Sequence, residues 1–309
     1  MKTRPLVSFD WAIKKLLRQK ANYDVLEGFL MVLLRRSVRI INIPESEGNG
    51  KEEGDKINRV DILCENEHQE LFLIELQYNS ENDYFQRMLF GASKTITDYM
   101  SEGYTYEQVR KVYSINIVYF DLGQGDDYVY HGTTEFRGIH SNDTLQINIR
   151  QKELFGVTAV YQIYPESYII KVNKFDDVAK DSLDEWIYYL KNNELPEHYS
   201  APGLNKVAEI LNYDSMDPKA KIQYEAHQKE LAISYGVLET AKAEGRAEGI
   251  AEGKAEGEMK GRVEGQKEKT ITVVVNSYRL GLDIPTIAKV TAISEEEVVG
   301  ILKEQRLMS

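Results

Sequence analysis

The amino-acid sequence predicts an α/β protein: a mixed sheet flanked by helices, then a helical region, a glycine-repeat helix or spacer, and a small helical C-terminus. Three observations lead to this prediction. Apolar residues recur at helical spacing near the N-terminus, short β-rich runs extend to residue 172, and an "AEG" repeat begins at Ala243. These changes in composition predict four segments: residues 1–172, 173–240, 241–269 and 270–309.

The first segment opens with two amphipathic helices, predicted at residues 9–17 and 23–34 from the spacing of their apolar residues. Three strands follow, "SVRIINI" (37–43), "INRVDILCE" (57–65) and "ELFLIELQ" (70–77). The polar stretch "PESEGNGKEEGDK" between the first two strands is typical of a loop.

A longer amphipathic helix is predicted over residues 82–103, ending at Gly103, and the run "KVYSINIVYF" (111–120) predicts a buried strand. Further strands are expected between residues 128 and 172, including "TLQINIR" (144–150) and "SYIIKV" (167–172). Helices and strands in this order predict a mixed sheet with helical cover.

The C-terminal half is predicted to be helical at residues 177–193, 203–211 and 218–245. Glycine then recurs every fourth residue, at positions 245, 249, 253, 257, 261 and 265. Six glycines cost a helix about 5 to 6 kcal/mol relative to alanine. The repeat is therefore interpreted either as a flexible or partly helical spacer, or as a helix that joins copies of the chain.

Three short helices are predicted after the repeat, with Ser294 as an N-cap followed by acidic residues. This arrangement resembles a helix-turn-helix motif, which can place a helix in the major groove of DNA. Its candidate second helix, "PTIAKV", offers only Lys289 as a base. A small helical cap or dimerisation element is the other interpretation.

The net charge of -12 argues against a simple nucleic-acid binder, because phosphate contacts need lysine and arginine. Residues 1–44, however, carry 9 Lys/Arg against 3 Asp/Glu, whereas residues 121–240 carry 11 against 20. A metal ion bound by carboxylates can also supply positive charge to a phosphate. The acidic balance therefore weakens a nucleic-acid function without excluding it.

The expected location is the cytoplasm. A single cysteine, Cys64, excludes an internal disulfide, which fits a reducing compartment. The longest apolar run, Phe29–Leu34, is far shorter than the roughly 20 residues of a membrane span. The N-terminus also lacks the apolar stretch of a signal peptide.

Asp61, Glu75 and Gln77 form the most informative cluster. If residues 57–65 and 70–77 pair as a hairpin centred near His68, Asp61 lies opposite Glu75, and Gln77 shares their face. Two opposed carboxylates destabilise a strand pair unless a cation compensates, and Mg²⁺ is commonly held by one or two carboxylates. Structural salt bridges are the alternative, with the candidate partners Arg59, Arg87 and Lys94.

Several stretches between residues 8 and 120 resemble the PD-(D/E)XK nuclease superfamily, and more narrowly its Rpn-type recombination-promoting nuclease and transposase branch. They are "FDWAIKKLL", "DVLEGFLMVLL", "NRVDILCENEHQELFLIELQ", "DYFQRMLFGASKTITDYMSEG" and "VYSINIVYF". The resemblance implies a restriction-endonuclease-like core. It also implies metal-dependent hydrolysis of DNA phosphodiester bonds, associated with recombination or mobile elements.

By this resemblance Asp61 and Glu75 match the catalytic carboxylates that bind a divalent cation, Mg²⁺ or alternatively Mn²⁺ or Ca²⁺. Gln77 stands where most of the superfamily has lysine, and an amide cannot supply that positive charge. Lys94, Lys14, Arg87 or a second ion are the candidates to replace it, and the alternative is that the charge is not replaced at all.

The resemblance also assigns supporting residues. Glu27 matches a helix carboxylate that some members add to the site. Asp10 and Lys14 match a "DxxFK"-like opening, with Ile13 in place of the aromatic residue. Arg87 and Tyr84 match the helix after the motif, where contact with phosphate is expected. The alternative function is a catalytically weak DNA-binding or oligomeric assembly protein that retains the nuclease fold.

Overall fold

A computed structural model describes residues 6–44, 61–100 and 105–308 of the chain. Six strands form one mixed sheet in the order β1-β2-β3-β4-β6-β5. Their bounds are β1 Ile40–Asn42, β2 Ile62–Asn66, β3 Leu71–Gln77, β4 Val112–Val118, β5 Val129–Gly132 and β6 Glu166–Lys171. The predicted mixed sheet is confirmed, whereas residues 45–60, with most of the predicted loop and the start of the second predicted strand, lie outside the described residues.

The strand pairing combines both directions. Strands β2 and β3 form an antiparallel hairpin, with Ile62 opposite Ile74. Strands β3 and β4 are parallel, as are β4 and β6, while β1 and β5 join the two edges in antiparallel pairs. Every residue of β4 is buried, and only Gln77 of β3 is not. Such continuous burial is typical of central strands whose two faces are both covered by helices.

Nine α-helices lie in the described part of the chain. They are α1 Phe9–Lys15, α2 Tyr23–Leu34, α3 Tyr84–Asp98, α4 Ile149–Phe155, α5 Ser182–Asn192, α6 Leu204–Ile210, α7 Pro218–Arg279, α8 Ile284–Thr291 and α9 Glu295–Glu304. Helix α2 has the predicted bounds. No helix in the described ranges combines the length and apolar composition needed to cross a bilayer.

The main hydrophobic core lies on one face of the sheet. Phe9 of α1, Phe29 of α2, Trp186 of α5 and Leu204 of α6 are buried there together with Ile74 of β3. The edge-to-face contacts of Phe9 and Phe29 with Trp186 join the N-terminal helices to α5. Helices predicted as a separate subdomain thus contribute to the same core as the sheet, while the boundary at residue 172 stays a prediction.

Helix α3 covers the opposite face of the sheet. Tyr84 and Met88 pack against Val118 of β4, and Ala92 packs between Leu71 and Val112. Because successive side chains of a strand alternate between faces, β3 sends Ile74 to the main core and Glu75 towards α3.

One predicted strand was wrong, and one predicted helix is shorter than expected. The run at 144–150 is not a strand, because Asn148 begins helix α4: its side chain accepts a hydrogen bond from the backbone N–H of Gln151, and Gln151 caps Asn148 in return. Helix α3 ends at Asp98, where Tyr99 leaves the helix and lies against the Arg110 guanidinium. The predicted end at Gly103 lies outside the described residues.

The chain divides into two compact units, Met1–Glu230 and Leu231–Ser309. In the second unit, Val274, Ile287, Val298 and Leu302 form a small core. The predicted N-cap at Ser294 is confirmed, since its hydroxyl accepts a hydrogen bond from the backbone N–H of Glu297 at 3.2 Å. The whole glycine repeat is helical within α7, rather than separated from a short helix after residue 270.

Candidate active site

The β2–β3 hairpin places Asp61 beside Glu75. Strand β2 begins at Ile62, whose partner is Ile74, so the same register sets Asp61 against Glu75, as the sequence predicts. The backbone N–H of Leu76 donates a hydrogen bond to Oδ2 of Asp61 at 2.7 Å. This bond fixes the aspartate side chain at the end of β3. Cys64 is buried in the main core, on the face opposite Glu75.

Glu75 is a buried carboxylate in a position that disfavours its negative charge. The residue is 6% exposed. Burial raises its pKa to about 7; the positive charge of Arg87 opposes this, and the negative charges of Asp61 and Glu81 add to it. Arg87, from the first turn of α3, forms an ion pair with Oε1 of Glu75. That oxygen has no hydrogen bond of ordinary geometry.

Helix α1 and the turn that follows it bring positive charge to Asp61. Nζ of Lys14 lies 3.4 Å from Oδ1 of Asp61, and the Arg18 guanidinium donates to the backbone carbonyl of Asp61 at 2.8 Å. Lys94 pairs instead with Asp98, one turn further along α3. Of the cations considered as replacements for the usual lysine, Lys14 and Arg87 therefore contact the two carboxylates.

Glu81 is a member of the site that the sequence reasoning missed. It lies in the turn between β3 and α3, where Nε2 of Gln77 donates to its Oε1 at 2.8 Å. Arg87 donates to both oxygens of Glu81, at 2.8 and 3.0 Å. The available signal was an acid four residues after Gln77 and six before Arg87.

Tyr84 and Asn116 support the site from within the protein. Asn116 is the β4 neighbour of Glu75 in the sheet register, and Tyr84 donates a hydrogen bond to its Oδ1 at 3.4 Å. Tyr84 has no exposed surface. Its ring packs edge-to-face on Phe120, so in this conformation the tyrosine is a packing residue rather than one open to a phosphate.

Glu27 and Asp10 lie outside the hydrogen-bond network of Asp61, Glu75 and Gln77 in the described part of the chain. Oε1 of Glu27 accepts a hydrogen bond from the backbone N–H of Ile40 at 2.7 Å, which ties α2 to the edge strand β1.

Asp10 is 1% exposed and contacts His227 of α7, with 2.6 Å between Oδ2 and Nε2. Burial alone raises the pKa of Asp10, but hydrogen bonds with His227 and Ser8 and the charges of His227 and Lys14 outweigh it, so that the pKa falls below its ordinary value. Asp10 is thus a structural carboxylate that is tied to α7 through Oδ2, although its buried Oδ1 has no hydrogen bond of ordinary geometry within the described residues.

The residues present fit a hard divalent cation held in part by its substrate. In the described ranges no cluster of three Asp, Glu, His or Cys side chains is placed to hold a metal ion. Mg²⁺ commonly takes one or two protein carboxylates and fills its other positions with water and phosphate oxygens. Asp61 and Glu75 are such a pair, and a cation bound at Oε1 of Glu75 would take the place of the Arg87 guanidinium that contacts this oxygen.

A mixed sheet with an aspartate at the start of one strand, a glutamate on the neighbouring strand and a polar residue two positions after the glutamate is typical of the restriction-endonuclease-like class of nuclease folds. A family model described as "PD-(D/E)XK nuclease family transposase" matches residues 7–241, and the chain belongs to this family. The predicted resemblance to PD-(D/E)XK nucleases and transposases is thereby confirmed. Neither curated proteins nor solved structures give a significant match.

Proposed function

We propose that this protein is a metal-dependent DNA endonuclease that hydrolyses phosphodiester bonds, with Mg²⁺, or alternatively Mn²⁺ or Ca²⁺, held by Asp61 and Glu75. The observation that carries the proposal is the convergence of these carboxylates at one end of the β2–β3 hairpin, where Leu76 fixes one and α3 covers the other. Membership of a nuclease and transposase family supports DNA as the substrate and recombination or mobile elements as the setting.

The roles follow from the contacts. A bound divalent ion lowers the pKa of a water molecule and polarises the scissile phosphate. Asp61 and Glu75 carry the negative charge that attracts this ion. Gln77 donates a hydrogen bond to Glu81 and thereby orients the Glu81 carboxylate. Lys14 and Arg87 supply the positive charge that Gln77 lacks, placed to offset the charge on a phosphate. Glu27 and Asp10 support the fold around the site, as does Tyr84.

A plasmid-nicking assay tests the proposal. The wild-type chain should convert supercoiled plasmid to the nicked form with Mg²⁺ or Mn²⁺, and Asp61→Ala should abolish this conversion. Asp83→Asn, which removes an exposed charge from the N-terminus of α3, serves as the matched control. Nicking by Asp61→Ala at the wild-type rate would overturn the assigned site.

A second function is favoured by one feature of the site: Arg87 already neutralises Glu75, and Gln77 carries no charge. On this alternative the chain is a catalytically weak DNA-binding or assembly protein that keeps the nuclease fold. It predicts a wild type that shifts DNA in a gel but nicks no plasmid with any of the three metals.

We further propose a cytoplasmic protein that forms homo-oligomers through the glycine repeat of α7. The six repeat glycines have no atom within 4 Å of the position of an added Cβ, so a second helix has room to approach their backbone. Truncation at residue 240 should lower the number of chains per particle, obtained by light scattering as the measured mass divided by the chain mass. An unchanged number of chains would contradict this assignment.

A further inference from the structure

Glu81 connects Gln77 and Arg87 through hydrogen bonds to its carboxylate. Its carboxylate accepts one hydrogen bond from Gln77 and two from Arg87. Arg87 in turn contacts two carboxylates, because it also pairs with Glu75. The guanidinium therefore bridges a candidate metal ligand and a residue in the adjoining turn.

A divalent cation at Glu75 has to compete with this guanidinium. The two positive charges repel each other at short range, which favours the release of Glu75 by Arg87 when the cation binds. The Arg87 side chain is only 30% exposed, and removing the partner of a partly buried charge is costly. Glu81 removes most of that cost, because its two hydrogen bonds to Arg87 do not involve Glu75.

We propose that Glu81 is the exchange partner of Arg87: on cation binding, Arg87 leaves Glu75 and keeps Glu81, which continues to hold Gln77. The inference rests on the proposed metal-dependent function and adds a positioning residue to it. Arg87 then stays beside the site as a preorganised positive charge for a phosphate. Glu81 acts through Arg87 and is not itself a ligand, consistent with the lack of a three-carboxylate metal cluster in the described ranges.

Isothermal titration of Mn²⁺ into the full chain without DNA tests the exchange. The four proteins are the wild type, Glu81→Ala, Arg87→Ala and the double variant, with Asp83→Asn as the control for loss of a nearby negative charge. Glu81→Ala should weaken Mn²⁺ binding about tenfold, a coupling typical of side chains in contact. Arg87→Ala should bind Mn²⁺ at least as tightly as the wild type.

The decisive comparison is the effect of Glu81→Ala when Arg87 is already absent. If Glu81 acts through Arg87, the double variant should bind Mn²⁺ within about twofold of Arg87→Ala. An equal loss in both backgrounds would overturn the inference, because Glu81 would then act as a ligand or as a general negative charge.

A folding check and a substitute variant guard against variants that do not fold. Circular dichroism melts check that each variant folds, and Glu81→Gln, which keeps a hydrogen-bond acceptor for Gln77, replaces Glu81→Ala if the alanine variant does not fold. A wild type that binds no Mn²⁺, with or without DNA, would overturn both the proposed function and the exchange. Additive effects in a wild type that does bind Mn²⁺ would overturn the exchange alone.

Discussion

Two regions of this molecule each bury a carboxylate, and they treat it in opposite ways. Asp10, where α1 meets the start of α7, is stabilised as an anion by His227 and Ser8, and its pKa is lowered. Glu75, between β3 and α3, has its pKa raised to about 7 because burial outweighs the attraction of Arg87. The comparison separates Asp10, a carboxylate that holds the fold together, from Glu75, whose negative charge is disfavoured by burial and can be stabilised by a ligand.

The strongest way to break this comparison is to neutralise Glu75. Glu75→Gln should lower the plasmid-nicking rate by about three orders of magnitude, since metal-dependent hydrolysis draws several kcal/mol from the bound ion. The folded state should persist, because Arg87 retains Glu81. Nicking rates and melting curves measured on the same preparation check both statements. Glu67→Gln, an exposed acid on the same hairpin, is the control, and a fully active Glu75→Gln would contradict the assignment.

The opposite result is expected at the anchoring carboxylate. His227→Ala should lower the free energy of unfolding by about 3 kcal/mol, because it leaves the buried Asp10 without its partner, and Asp10→Ala should lower it by less, because His227 is only partly buried. Urea titration followed by circular dichroism measures this loss. The double variant should lose less than the sum of the two, and additive losses would show that the pair is not coupled. Asp24→Ala, at an exposed site on α2, is the control.

The pH dependence of stability sharpens the same contrast. Between the ordinary pKa of 4.5 and about 7, the folded state binds the Glu75 proton more tightly than the unfolded state does, so the free energy of unfolding falls as pH rises. The fall amounts to about 3 kcal/mol across this window. Glu75→Gln should remove it, and an unchanged slope in that variant would exclude Glu75 as its source.

Asp10 acts with the opposite sign: its stabilisation is complete above the ordinary pKa of 3.8 and disappears as pH falls through the lower pKa of the folded state. Urea midpoints from pH 3 to pH 8 therefore separate the two carboxylates. In a plot of urea midpoint against pH, Asp10→Ala should lack only the fall that the wild type shows at the acidic end.

The smallest expected effect is at Lys14, which lies one turn from Asp10 on α1 and contacts Asp61 at 3.4 Å. Its side chain is 46% exposed, so Lys14→Ala should change the free energy of unfolding by less than about 1 kcal/mol. If Lys14 faces a DNA phosphate, as the proposed function has it, DNA binding should nevertheless weaken and become less salt-dependent. Gel shifts at several salt concentrations measure this, with the neighbouring Lys15→Ala as control; equal effects of the two variants would remove Lys14 from the site.

Local signals in the sequence were sufficient for much of this structure. The apolar spacing of α2, the hairpin register that sets Asp61 against Glu75, and the N-cap at Ser294 each depend on residues close together in the chain. Helix α4 was missed because the capping pair of Asn148 and Gln151 outweighs the alternation of apolar residues before it.

The remaining errors concern contacts that no local pattern specifies. Glu81 meets Gln77 and Arg87 only because the turn after β3 folds back, and the path of that turn is not encoded in residue spacing. Asp10 carries the motif position that predicts a role at the site, yet its partner is a histidine 217 residues further along the chain.

That separation has a consequence for the order in which the protein folds during synthesis. Three later residues hold the N-terminal segment by hydrogen bonds. The backbone N–H groups of Val7 and Ser8 donate to the carbonyl of Leu211 and to the hydroxyl of Tyr224, respectively. Asp10 is hydrogen-bonded to His227. At a translation rate of about 5 to 20 residues per second, these partners emerge roughly 10 to 40 seconds after α1. Helix α1 therefore leaves the ribosome well before these partners, and a nascent chain that ends before His227 lacks the hydrogen-bond partner of Asp10.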